Sequence, residues 1–177
     1  MADPHNPKRY GETWDALRIA AYLTELEKIK PHIILSGGWA WHFMSPKGHT
    51  ELKHAHDHKD VDIFVHPNEV ATVIPLLMGM GFEKVKTRFD KMPSDEEFRR
   101  YEKTVDAGKL TIDMFVKNVP FIMVDGWRLV EPKYLTNLYS TIHSSKSCFA
   151  VVSAEKIIAK GESPVNRPEL VAIPKET

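Results

Sequence analysis

The chain of 177 residues is expected to be an α/β (α+β) protein with one mixed β-sheet flanked by helices. Three observations predict this. Segments with apolar residues at helical spacing are interleaved with short β-branched segments that alternate in polarity. The dipeptide Asp125-Gly126 stands between two apolar runs, a strong hairpin signal. Hydrophobic residues make up 42% of the chain and charged residues 27%, the balance of an ordinary globular domain with a core of its own.

The elements follow in order. Residues 1–11 hold two prolines and read as a tail, and residues 12–161 are assigned to the folded domain. Residues 13–30 form a helix whose apolar stripe is Trp14, Leu17, Ala20, Ala21, Leu23 and Leu26, closed by Pro31. His32 to Leu35 is a buried strand that runs into the bend Ser36-Gly37-Gly38, and Trp39 to Met44 starts a second helix. Residues 45–59 are polar, hold Pro and Gly, and form a loop. Asp60 to Val65 alternates as a strand. Residues 68–80 form a helix with Asn68 as N-cap, stopped by Gly79 and Gly81. Residues 82–86 form a strand, and the charged stretch 87–103 is expected to be a loop or short helix. Leu110 to Val116 is a second alternating strand, residues 120–131 are the hairpin, and 132–142 and 148–160 are helices. The proline-containing stretch 162–177 is an extended tail.

Composition narrows the function. Lys plus Arg and Asp plus Glu are both 24, so net charge is zero and no bulk field draws the protein to nucleic acid or an anionic membrane. No run approaches 18 apolar residues, and the N-terminus lacks the apolar centre of a signal peptide. The one cysteine, Cys148, cannot form an internal disulfide and lies on an apolar helix face, which together fit a reducing, cytoplasmic setting. Arg99, Arg100, Lys103 and Lys109 offer a basic rim for phosphate or RNA, with a solvated surface as the default; at least one of Trp39 and Trp41 is assigned to core packing, and Trp127 to packing rather than base stacking.

Three features carry chemistry. An apolar strand feeds Ser36-Gly37-Gly38 and then a helix, so backbone N–H groups at the helix start are exposed to a ligand such as phosphate. Asp60 and Asp62 lie at i and i+2 on a strand and therefore share a face with Phe64, while Val61, Ile63 and Val65 point to the core. Two adjacent carboxylates repel unless a cation or a base offsets them, and Mg²⁺ held by carboxylates and substrate phosphates is the usual solution. Asp113 shares a face with Thr111 and Phe115, opposite Leu110, Ile112, Met114 and Val116. If the two strands are neighbours, Asp113 stands beside Asp62, and three carboxylates face a glycine bend. Such a site suits attack of a hydroxyl on a nucleoside triphosphate, with a carboxylate taking the proton.

Gly37-Gly38-Trp39-Ala40, then His58-Lys59-Asp60-Val61-Asp62-Ile63, then Asp113 on a later strand, together resemble the nucleotidyltransferase (DNA polymerase β-like) superfamily. Within it they resemble the Gly-Gly-Trp-Ala branch of small antibiotic and minimal toxin-type enzymes. The resemblance spans roughly residues 33–160. It implies a nucleotidyltransferase-like fold and transfer of a nucleoside monophosphate from an NTP, ATP first, to a hydroxyl or phosphate acceptor with release of pyrophosphate. It implies Mg²⁺, with Mn²⁺ as a substitute, held by Asp60, Asp62 and Asp113, which are also the catalytic carboxylates. Ser36, Gly37, Gly38 and Lys146 would bind the nucleotide. The acceptor stays open among a small molecule, a tRNA end and a protein side chain. Two departures stand out: the stretch from Gly38 to Asp60 is long for the branch, and Ala55 and His56 stand where an arginine is usual.

Two other functions compete. One is a non-catalytic, degenerate nucleotide-binding module of the same fold. The other is a zinc-dependent hydrolase using His54, His56 and His58, although the spacing to Asp57 does not match the metallo-β-lactamase signature and histidines in a polar loop are more often solvated. The main reading requires Asp60, Asp62 and Asp113 to converge on a divalent cation opposite the glycine bend, and an Asp113 that lies far from the other two, or is capped by an internal arginine, would overturn it.

Overall fold

The computed structural model describes residues 14–44, 58–91, 97–141, 151 and 154–155. The tails at 1–11 and 162–177, Lys146, Cys148 and nearly all of the loop at 45–59 lie outside them. Of the helix expected over 148–160, Val151, Ala154 and Glu155 are described, and all three are helical.

Helix α1 spans Ala16–Leu26, and its N-cap Asp15 accepts the Arg18 N–H at 2.9 Å. Its buried face is Ile19, Tyr22 and Leu26, continued by Ile29. This corrects the expected stripe, since Leu17 is 85% exposed and Ala20 also faces outward. Apolar residues lie on both sides of this helix, and the Tyr22 hydroxyl selects the inner one by donating to the Lys109 carbonyl at 3.0 Å.

A 3-10 turn at Lys30–His32 leads into strand β1, Ile34–Leu35, which is followed by helix α2, Gly37–Met44, and strand β2, Asp60–Val65. A second 3-10 turn, Pro67–Glu69, precedes helix α3, Val70–Gly79. Asn68 is therefore not a helix cap. It sits within the turn, and the His66 ring accepts its N–H at 3.1 Å. Strand β3 is Glu83–Val85; of the loop or short helix expected over 87–103, a 3-10 turn stands at Arg88–Lys91, but strand β4, Glu97–Val105, replaces the later part. Strand β5 is Gly108–Val116, and β6, Phe121–Val124, and β7, Trp127–Val130, form the hairpin around Asp125 and Gly126, both at positive φ. Helix α4 is Pro132–Thr141.

Among the described residues seven strands form one sheet in the order β3-β4-β5-β2-β1-β7-β6. The β2–β5 and β1–β7 pairs are parallel and the other neighbours antiparallel, so the sheet is mixed as expected. Val61, Ile63 and Val65 of β2 and Leu110, Ile112 and Met114 of β5 are fully buried on one face. Tyr101 of β4 joins them opposite Ile112, and Lys103, two residues on, reaches Glu25 of α1 at 2.6 Å. The charges of β4 thus hid a strand with a buried centre. Trp39 and Trp41 are both fully buried, and Trp127 stacks on Phe43 with ring centroids 5.6 Å apart. His58 is buried as well: its ring accepts the Trp14 backbone N–H at 3.3 Å, and its carbonyl accepts the Trp39 indole N–H at 3.3 Å. It is a core residue at the entry to β2 rather than a solvated loop histidine. Among the described residues no helix is long and apolar enough to cross a membrane.

Two measurements check this packing. Leu26→Ala should cost about 2–5 kcal/mol in denaturant unfolding, whereas Leu17→Ala should stay within about 0.5 kcal/mol; equal costs would place the wrong face of α1 inward. Burial pushes the Tyr101 phenol above its ordinary pKa. The folded state therefore holds that proton longer than the unfolded chain, and the associated stability is present at neutral pH and lost as pH rises through the alkaline range. Tyr101→Phe should flatten that alkaline loss in a pH series of unfolding curves.

Candidate active site

The register of the sheet builds the site. Asp62 of β2 pairs with Asp113 of β5, and Asp113 pairs with Arg100 of β4. Cross-strand partners share a face, so these three side chains form one row. A second row, Asp60–Thr111–Glu102, lies on one side of it, and a third, Phe64–Phe115–Phe98, on the other. The aromatic row is in ring contact, with centroids 5.5 Å apart for Phe64–Phe115 and 5.2 Å for Phe98–Phe115. It separates the charged rows from the far end of the strands.

The glycine bend meets the same row. The Ser36 N–H donates to the Asp62 carbonyl at 2.8 Å, which fastens the start of α2 to β2. Gly37 has φ +57°, and a Cβ there would run into a carboxylate oxygen of Asp62. Only glycine allows this approach without strain. The Asp62 carboxylate thus lies against the first turn of α2, where the positive end of the helix favours negative charge.

Asp113 is buried, and its carboxylate is held by Arg100 through two hydrogen bonds. Arg100 Nε donates to Oδ1 at 2.6 Å and Nη2 donates to Oδ2 at 2.7 Å. Nη2 is also 3.8 Å from an oxygen of Asp60. This planar fork is the strongest geometry an arginine offers a carboxylate. The hydrogen bonds to Asp113 push the Arg100 pKa still higher, against the opposing effect of burial. In the second row Lys109 lies 3.1 Å from Glu102, and the Thr111 hydroxyl donates to Glu102 at 3.4 Å.

The structure brings Asp60, Asp62 and Asp113 together with Ser36 and Gly37, but it corrects the expected three-carboxylate metal site: Asp113 is capped by an internal arginine, the arrangement set against that reading. Asp60 and Asp62 are partly exposed, hard oxygen donors on one strand face, a set that suits Mg²⁺. Asp113 can join them only if Arg100 withdraws, and no group of three metal-binding side chains is preformed among the described residues. Arg100 itself was placed on the solvated surface by its sequence context, and the structure corrects that. The signal was present, because Phe98, Arg100 and Glu102 share a period-2 phase, but only once 97–105 is recognised as a strand. Of the three histidines considered for zinc, His58 is in the core, and His54 and His56 lie outside the described residues.

No protein-family profile and no curated relative matches the sequence. Solved structures similar in fold include the following two. The Megavirus polyadenylate synthase superposes with a TM-score of 0.51 at 12% identity, over 100% of this chain and 40% of that one. The antibiotic-resistance factor ANT(2'')-Ia superposes with a TM-score of 0.52 at 10% identity, over 86% of this chain and 90% of that one. The chain has a nucleotidyltransferase-like fold.

The Gly37–Asp62 contact makes a prediction. Gly37→Ala should cost about 1–2 kcal/mol from the left-handed backbone alone, and more from displacing the Asp62 carboxylate. A thermal unfolding curve that matches the wild type would show that this approach is not required.

Proposed function

We propose that the protein transfers a nucleoside monophosphate from an NTP, with ATP as first candidate, to a hydroxyl or phosphate acceptor and releases pyrophosphate. The observation that carries this reading is the Asp62–Asp113 pair in register, with Asp60 one row away and the Gly37 bend against Asp62. The nucleotidyltransferase-like fold supports it.

The roles follow from position. The Ser36 N–H is taken by the Asp62 carbonyl, so the backbone N–H groups at Gly37 and Gly38 would face the donor phosphates, with Ser36 fastening the bend, and Lys146 is the expected basic partner outside the described residues. Asp60 and Asp62 would hold Mg²⁺, which supplies charge neutralisation for the triphosphate when bound. The acceptor oxygen forms a bond to the α-phosphorus, the bond from that phosphorus to the α,β-bridging oxygen breaks, and the acceptor proton passes to a carboxylate. Asp113 can take that proton or bind metal once Arg100 releases it, and Arg100 is then free to face the phosphates. A substrate-bound rearrangement of this fork is part of the proposal.

The fork also favours a second reading. A carboxylate so firmly held suits a nucleotide-binding module that has lost catalysis, and one set of variants separates the two. Asp62→Asn and Asp113→Asn should each lower Mg²⁺-dependent transfer by roughly 10²–10⁴-fold; unchanged transfer in both would defeat the catalytic assignment. Arg100→Met should lower the Mg²⁺ concentration needed for half-maximal ATP binding, because an internal cation no longer competes. Calorimetric ATP binding with no turnover over a broad acceptor panel would instead support the module.

A further inference from the structure

A cleft of about 350 Å³ opens beside Asp60. Its floor is the row Asp60, Thr111 and Glu102, its walls include Arg18, Lys59 and Lys109, and Arg100 stands at its edge. None of Ser36, Gly37, Gly38 or Asp62 lines it, so it is separate from the glycine bend that faces the donor. From this geometry we infer that the cleft is the acceptor subsite and that it takes an acceptor bearing a phosphate, anchored by Arg18. The inference rests on the nucleotidyltransferase reading above for the word acceptor, but the anion site stands on its own observations.

Charge is the first of these. The lining holds four cationic side chains, Arg18, Lys59, Arg100 and Lys109, against two carboxylates, Asp60 and Glu102. Arg100 is engaged by Asp113 and Asp60, and Lys109 by Glu102. Among the described residues Arg18 has no ion pair. Its guanidinium carbon lies over the Trp14 ring at 3.9 Å, a cation–π contact that restricts its position. Its Nε is buried without a hydrogen-bond partner. A buried N–H on a permanently charged group calls for an acceptor, and a planar guanidinium held on an aromatic face matches phosphate well. Gly108, with φ +124°, lets the chain turn tightly beneath it, since a Cβ there would stand 3.4 Å from Arg18 Nη2.

Size and position are the second. The volume is at the lower end of small-molecule sites and suits one phosphorylated sugar or one nucleotide unit. A phosphate at Arg18 places the rest of that unit along the floor toward Asp60 and Arg100. Its hydroxyl then attacks the α-phosphorus of the bound NTP, the bond to the bridging oxygen breaks, pyrophosphate leaves, and the proton passes to a carboxylate of the aspartate row. A polycationic acceptor is disfavoured, because it would face Arg18 and Lys59.

Calorimetry on the full chain tests this with four probes: ribose 5-phosphate, ribose, the trinucleotide ApApA and the aminoglycoside kanamycin. Each is titrated with and without saturating Mg²⁺ and a non-hydrolysable α,β-methylene ATP analogue, which occupies the donor site. The expected result is that ribose 5-phosphate or ApApA binds at least about tenfold more tightly than ribose and kanamycin with the analogue present, and that affinity falls with added salt. A preference for the sugar phosphate identifies a small-molecule acceptor, and a preference for ApApA identifies a nucleic-acid end. Arg18→Gln should reduce the phosphate preference to within about threefold while ATP-analogue affinity moves by less than twofold. Lys59→Gln serves as the second variant should Arg18→Gln fail to fold. Equal binding of ribose and ribose 5-phosphate, tighter binding of kanamycin, or loss of phosphate binding once the analogue fills the donor site would each overturn the inference. Failure of the donor reading looks different: no binding of Mg²⁺ and analogue, with the Arg18-dependent phosphate preference intact.

Discussion

Three carboxylates on one face of a sheet require positive charge, and the arrangement around Asp62, Asp113 and Asp60 follows from that requirement. Strand spacing holds Asp62 and Asp113 side by side whether or not their charges suit each other. Partly buried like charges are costly unless something opposite is near. The chain meets the need from two directions. The start of α2 brings the positive end of a helix against Asp62, and β4 brings the Arg100 fork onto Asp113. Removal of either supply leaves an uncompensated carboxylate in the middle of the sheet.

The same electrostatics links stability to the proposed chemistry. A site that binds a divalent cation and a triphosphate must tolerate a deficit of positive charge before they arrive. Arg100 lowers that deficit, and under the proposed function it would have to yield when they do. Its neighbours are arranged consistently: the phenylalanine row closes the apolar end of the strands, and the Asp60–Thr111–Glu102 row opens toward the cleft. In the proposed reading, the glycine bend and the cleft would place donor and acceptor within reach of the same carboxylates. Structures similar in fold include a polyadenylate synthase and an antibiotic-resistance factor, so the fold alone leaves the acceptor undecided. The charge of the cleft is a property of this chain and points toward an anion.

Much of the framework was legible in the residues. Period-2 alternation marked β2 and β5, Asp125-Gly126 marked the hairpin, and the strand–glycine–helix order marked the bend. The pairing of Asp62 with Asp113 could be anticipated from the repeated pattern of acid, apolar residue, Phe and Val. Strand β4 could not, because Glu97, Arg99, Arg100, Glu102 and Lys103 dominate its composition, and the partners of Arg100, Glu102 and Lys103 come from β2, β5 and α1. The expected stripe of the first helix holds at Trp14, Leu23 and Leu26 but not at Leu17 and Ala20, because the contact of Tyr22 with β5 turns the helix toward Ile19 and Tyr22. His58 looked like a solvated loop residue until Trp14 and Trp39 closed over it.

By itself the sequence determined which residue types could do chemistry and the local geometry that orients them. A strand must put Asp60 and Asp62 on one face, and only a glycine bend admits a carboxylate so close to a helix start. Tertiary structure decided what those groups face. Arg100 lies 13 residues from Asp113 along the chain, and Lys103 lies 78 from Glu25, yet both are direct partners. Such pairings depend on strand order and register, which local periodicity does not encode, because the energy that selects them comes from burying a whole sheet at once.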